Sequence, residues 1–143
     1  MDELSGGQND DPKLRVDRLI AEGKMTAVAV RAAEMLWRAR LRQGVLMPHG
    51  EVARIELPDL YHLIVDDRIW RHPERIEQLL RSIFEIREAR EQRRRALARW
   101  MEGETEHIAY AILEPDGRVR TMHVIDARRL ARYRRREILL WTS

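Results

Sequence analysis

The sequence contains no cysteine, one phenylalanine and, among its 27 basic residues, only two lysines, Lys13 and Lys24. Each shortage excludes something. Without cysteine there is no disulfide, no thiolate nucleophile and no cysteine-ligated zinc or iron–sulfur site, a composition that suits a reducing compartment. No stretch nears the ~20 apolar residues that a membrane span needs. The first seven residues are acidic and poor in apolar side chains, unlike a signal peptide. There is no glycine-rich phosphate loop, no His-Glu-x-x-His zinc motif and no calcium loop. The expectation is a soluble, cytoplasmic protein that uses no membrane.

What is present is arginine. The chain has 143 residues, 44% of them hydrophobic and 36% charged, with a formal net charge of +3. That length suits a single core, and the apolar residues fall in periodic runs rather than scattered as in a disordered chain. The many arginines stay charged at any working pH and offer phosphate a planar fork of donors. A guanine- and cytosine-rich coding sequence would also favour arginine, but would not decide where the arginines sit.

Residues 1–11 read as a disordered leader carrying Asp2, Glu3, Asp10 and Asp11. Pro12 can open a helix with Leu14, Leu19 and Ile20 inward and Gly23 at its end. Thr26 can cap a second, with a stripe of Val28, Ala32, Met35, Leu36 and Ala39 running to about Gly44. Residues 12–45 are thus expected to be a helical hairpin, and 46–143 an α+β unit. The alternation in 50–58 suggests a strand. Asp59 can cap a helix with Leu60, Leu63 and Ile64 inside, and a helix opening at Pro73 carries Ile76, Leu79, Leu80 and Ile83. Residues 84–101 are ambiguous: propensity favours one long helix, alternation favours two strands. Residues 107–113 and 118–125 read as a hairpin around Glu114-Pro115-Asp116-Gly117. On its return strand Val119, Thr121, His123 and Ile125 alternate with Arg118, Arg120, Met122 and Val124. Asp126 can cap a basic final helix bearing Arg128, Arg129, Arg132, Arg134, Arg135 and Arg136, and the apolar tail Ile138-Leu139-Leu140-Trp141 is expected to dock on the core.

Leu60-Tyr61-His62-Leu63-Ile64 followed by Trp70-Arg71-His72-Pro73-Glu74 resembles the histidine-bearing helix of the barnase–EndoU–colicin–RelE-like nuclease superfamily, especially its phage and mobile-element branches. Val119-Arg120-Thr121-Met122-His123 resembles the closing strand of that family, and the resemblance covers roughly residues 50–130. It implies helices packed on a four-stranded antiparallel sheet, with strands at 85–91, 95–101 and the 107–125 hairpin. It also implies metal-independent cleavage of RNA, in a family rich in toxins, for which a cognate inhibitor protein is a possible partner. No cofactor is expected.

The candidate catalytic residues are His62, His72, Thr121 and His123. Cleavage by the 2′-OH route needs a base near that hydroxyl, an acid at the leaving oxygen and cations on the phosphate, and histidine is the side chain best able to exchange protons near neutral pH. Asp66, one turn after His62, can orient that ring, whereas His72 before Pro73 can equally be a helix cap. The candidate phosphate-binding residues are Arg87, Arg90, Arg94, Arg95, Arg118 and Arg120. Three functions remain open on these residues: a ribonuclease-like domain, a non-catalytic RNA- or DNA-binding module, and a protein-interaction subunit whose arginines serve ion pairs.

Overall fold

The computed structural model describes residues 11–143, so the expected leader lies, apart from Asp11, outside the described residues. The chain is α+β. Two helices come first, α1 (Pro12–Ala21) and α2 (Ala27–Ala39), then a short ribbon of β1 (Val45–Leu46) and β2 (Val52–Ala53). Three short helices follow, α3 (Leu57–Leu63), α4 (Asp67–Trp70) and α5 (Arg75–Arg81). The meander β3 (Ile83–Glu88), β4 (Arg94–Glu102), β5 (Thr105–Leu113) and β6 (Val119–Ile125) comes next, then α6 (Ala127–Arg136) and β7 (Leu139–Thr142).

The sheet has five strands rather than the four expected. Its order is β6-β5-β4-β3-β7, and every pairing is antiparallel. The fifth strand is the apolar tail, which adds to the β3 edge instead of sinking into the core: Ile138, Leu139 and Leu140 are exposed, and only Trp141 packs inward. Residues 84–101 are two strands. Helix propensity loses there because alternation places Ile83, Ile86, Ala96, Ala98 and Trp100 in the core, and burial outweighs the few tenths of a kcal/mol per residue that propensity supplies.

One sheet face is covered by the N-terminal helices. Ala96, Ala98, Ala109 and Ala111 are small enough to let Leu79 and Leu80 of α5 approach closely, and no space for a water is left between them. Val16, Met25, Val30 and Ala33 from the first two helices join the same buried cluster. The stripe expected on α2 is therefore rotated: Val28 and Met35 are exposed, and Val30 and Ala33 point inward, because the helix is apolar on several sides and its periodicity does not select one. Trp37 fixes the orientation by donating its indole N–H to the Ile55 carbonyl at 2.8 Å. Similarly, Val16 is the buried residue of α1 while Leu14 is half exposed.

Two helix starts show how local chemistry sets the frame. Thr26 caps α2, its hydroxyl accepting from the Ala29 N–H at 3.1 Å. At α3 the cap is Glu56, not Asp59. Asp59 is the reciprocal residue of the capping box, accepting from the Glu56 N–H at 2.9 Å, so the helix starts three residues earlier than the expected cap implies. The β5–β6 turn follows its sequence: Gly117 has φ 91° and lies against the β2 backbone, where a Cβ would come within 3.1 Å of the Val52 carbonyl oxygen.

Candidate phosphate-binding groove

The other face of the sheet is where the chemistry-bearing residues gather. Leu97, Tyr110 and His123 are direct cross-strand partners on it, as are Arg95, Ile112 and Thr121. Helix α6 lies over this face but brings little apolar surface: Leu130 and Tyr133 pack with Leu97, Ile125, Phe84, Ile108 and Tyr110. Charge does the rest. Arg134 forks onto Glu85, with Nη2 at 2.7 Å and Nε at 3.2 Å. Arg87 joins the same carboxylate at 2.5 Å and also donates to the Glu137 carbonyl at the end of α6 at 2.8 Å. Arg95 forks onto Glu137 at 2.8 and 3.0 Å, and its guanidinium lies 3.7 Å from the Tyr133 ring centre and 4.4 Å from that of Tyr110. Burial of Glu85 favours its neutral form, but the hydrogen bonds from Arg134 and Arg87 win and hold its pKa below the usual carboxylate value.

Between α6, the outer sheet face and the β3–β4 turn is an open groove of about 670 Å³. Six arginines line it, Arg90, Arg93, Arg95, Arg120, Arg132 and Arg136, against three glutamates, Glu88, Glu91 and Glu137; Thr121 and Tyr133 supply hydroxyls. Arg120 reaches the groove because of a bulge. Ile112 pairs with Thr121 and Leu113 with Val119, which leaves Arg120 as the extra residue. The expected alternation of β6 breaks there: Arg120 and Thr121 both face the groove, while Val119 joins the main core. The opposite rim is the β3–β4 turn, where Glu91 and Gln92 take left-handed backbone conformations with φ of 59° and 65°. Such conformations cost a non-glycine residue about 1–2 kcal/mol each.

The candidate arginines divide into two sets. Arg90, Arg95 and Arg120 line the groove, Arg95 paired there with Glu137 and Arg120 with Glu114. Arg87, Arg94 and Arg118 are committed elsewhere: Arg87 to Glu85, Arg94 to Glu51 at 2.5 and 2.9 Å, and Arg118 to the buried Asp59 at 2.8 and 3.1 Å. Arg132 and Arg136 stand in the basic run of α6, and their four-residue spacing puts both on the groove side of the helix. Among the described residues Arg90, Arg132 and Arg136 have no carboxylate partner.

The histidines are likewise separated. Thr121 Oγ1 and His123 Nε2 are 3.0 Å apart, and the His123 ring meets the Tyr110 ring edge-on, with 5.6 Å between centres. Partial burial lowers the His123 pKa below its ordinary value; Arg129, Arg15 and Arg68 push it the same way, and Asp66 opposes them. His62 is exposed at the end of α3, and His72 is exposed beside Glu74, with Nδ1 3.6 Å from its carboxylate. Among the described residues no hydrogen bond, ion pair or ring contact joins either one to Thr121 or His123. Asp66, which the sequence associates with His62, instead faces His123 Nδ1 at 4.0 Å.

Among the described residues no cluster of three or more histidine, aspartate or glutamate side chains is arranged to hold a metal ion, and no helix is long and apolar enough to cross a membrane. Comparison of the chain with protein-family models, with curated proteins and with solved structures returns no match.

Proposed function

We propose that the groove binds the phosphodiester backbone of single-stranded RNA and that the protein is a metal-independent ribonuclease of the barnase–EndoU–colicin–RelE-like kind. The observation that carries this reading is the hydroxyl–imidazole pair Thr121–His123, with Thr121 on the wall of a groove lined by six arginines and three glutamates. The groove supplies cations for the equatorial oxygens of a transferring phosphoryl group, and Arg90, Arg132 and Arg136, which have no carboxylate partner among the described residues, are the ones available to phosphate. Arg95 is already paired with Glu137 and flanked by two tyrosine rings, so it holds the groove wall in place rather than supplying an uncompensated charge. His123, with its pKa lowered, is neutral at pH 7 and serves as the base. It takes the 2′-hydroxyl proton, the 2′-oxygen attacks phosphorus, and the P–O5′ bond breaks to leave a 2′,3′-cyclic phosphate. The leaving oxygen takes its proton from solvent.

The test is a digest of single-stranded RNA in EDTA with wild type, His123→Ala and Thr121→Ala, alongside a binding titration across salt. Cyclic-phosphate ends from wild type, and their loss in His123→Ala, are expected. Intact RNA with wild type overturns the cleavage reading.

A second reading, a non-catalytic RNA-binding module, is favoured by one observation: His123 is the only histidine in contact with a groove residue among the described residues. It predicts affinity that falls steeply with salt and no cleavage. An acidic inhibitor protein would suit the same groove under either reading.

A further inference from the structure

We propose that Asp66 is the positioning residue for His123, holding the imidazole as its Nδ1–H tautomer so that Nε2 faces Thr121 as the acceptor. The inference rests on the cleavage reading for its purpose, though not for its geometry. Asp66 stands where α3 has ended and α4 begins, and its side chain is only 10% exposed. Its two oxygens have separate tasks. Oδ1 caps α4 by accepting from the Arg68 N–H at 2.9 Å. Oδ2 has no hydrogen-bond donor among the described residues and faces His123 Nδ1 at 4.0 Å. On the far side of the ring, Nε2 is 3.0 Å from the Thr121 hydroxyl. A carboxylate, an imidazole and a hydroxyl that opens on the groove therefore stand in sequence.

The charges around His123 explain why the carboxylate orients the ring without charging it. Arg68 from α4, Arg15 from α1 and Arg129 from α6 all disfavour the imidazolium, as does partial burial, and Tyr110 of β5 closes the ring edge. Asp66 is the anion that acts against them on the ring. A carboxylate on the Nδ1 side favours the proton there, which leaves the Nε2 lone pair free to accept from Thr121 or a substrate hydroxyl. The position is fixed from both ends. Oδ1 is tied to the α4 backbone, and the Arg68 side chain donates to the Val124 carbonyl of β6 at 3.4 Å, joining the helix start to the strand that bears His123.

The test uses nitrogen-15-labelled protein and long-range proton–nitrogen spectra of the His123 ring, assigned with His123→Gln. The variant is Asp66→Asn, which keeps a cap for α4 and removes the charge. The wild type is expected to show the Nδ1–H form above its titration midpoint. Asp66→Asn is expected to shift the ring toward Nε2–H and to move the midpoint down, since the opposing carboxylate beside Nδ1 has gone. Cleavage by Asp66→Asn should fall by about tenfold or more, with its pH profile displaced to lower pH. Unchanged tautomer and midpoint overturn the proposal, even if cleavage is lost. If wild type does not cut RNA, the spectra still decide the Asp66–His123 pairing, so failure of the ribonuclease reading and failure of this one are separately visible.

Discussion

On its inner face the sheet offers alanines to the leucines of α5, and the contact is dry; on its outer face it offers Glu85 to Arg134 of α6, Arg87 to the Glu137 carbonyl and Arg95 to the Glu137 carboxylate. The same strands carry both. Along β4, Ala96 and Ala98 point one way and Arg95 and Leu97 the other. The inner contact depends on shape and the outer one on charge, and only the outer one leaves a groove. A helix held by apolar packing would have to cover the face tightly. A helix held by forked ion pairs near its end can stand off the sheet and leave arginines beside open space.

Breaking the inner face should cost most. Leu80 is fully buried, and Leu80→Ala is expected to destabilise the fold by about 2–5 kcal/mol, read by urea unfolding. On the outer face Glu85→Gln removes the carboxylate shared by Arg134 and Arg87. Arg134 is half exposed and screened by solvent, so the loss should be smaller, about 1–3 kcal/mol. Its pH signature differs as well. The folded-state pKa of Glu85 lies below its unfolded value. Its contribution is therefore complete above the unfolded pKa and is lost as pH falls toward the folded one. Stability of wild type should decline below about pH 5, and the decline should be shallower in Glu85→Gln, whereas Leu80→Ala should keep the wild-type slope. The smallest stability effect is expected from Arg132→Ala with Arg136→Ala, within about 0.5 kcal/mol. That pair should nonetheless weaken RNA binding and lower the salt slope by about one for each arginine. A double variant that unfolds would show that these side chains hold α6 rather than serve the groove.

Much of the frame is legible in the sequence, because turns and periods are local. Pro115-Asp116-Gly117 marks the β5–β6 turn, Thr26 marks a cap, and Ile76, Leu79 and Leu80 mark the inner face of α5. The rest depends on long-range choices. Nothing near Arg94 announces Glu51, and nothing near Arg118 announces Asp59, yet each arginine is taken by that carboxylate. Which arginines remain for a ligand is decided by partners 40 to 60 residues away. The bulge at Arg120 is equally hidden: alternation assigns it to the face of Met122, and only the cross-strand register moves it into the groove. Asp66 lies one turn from His62 in sequence, and the packing of α3 against β6 gives it to His123 instead. The tail Ile138–Trp141 could be read as apolar but not as a strand, since its pairing partner β3 was itself ambiguous.

The strand order β6-β5-β4-β3-β7 also ranks the pairings by the length of chain each must close. Four of the strands are neighbours both in sequence and in space, so the meander can assemble hairpin by hairpin, each step closing a short loop. The pairing of Glu85 with Thr142 must instead bring together ends separated by three strands and a helix. That closure is entropically dearer and is compensated only once α6 has landed. By loop-closure cost alone, the groove floor supplied by β3 to β6 comes more cheaply than its wall, which needs α6 and β7 in place.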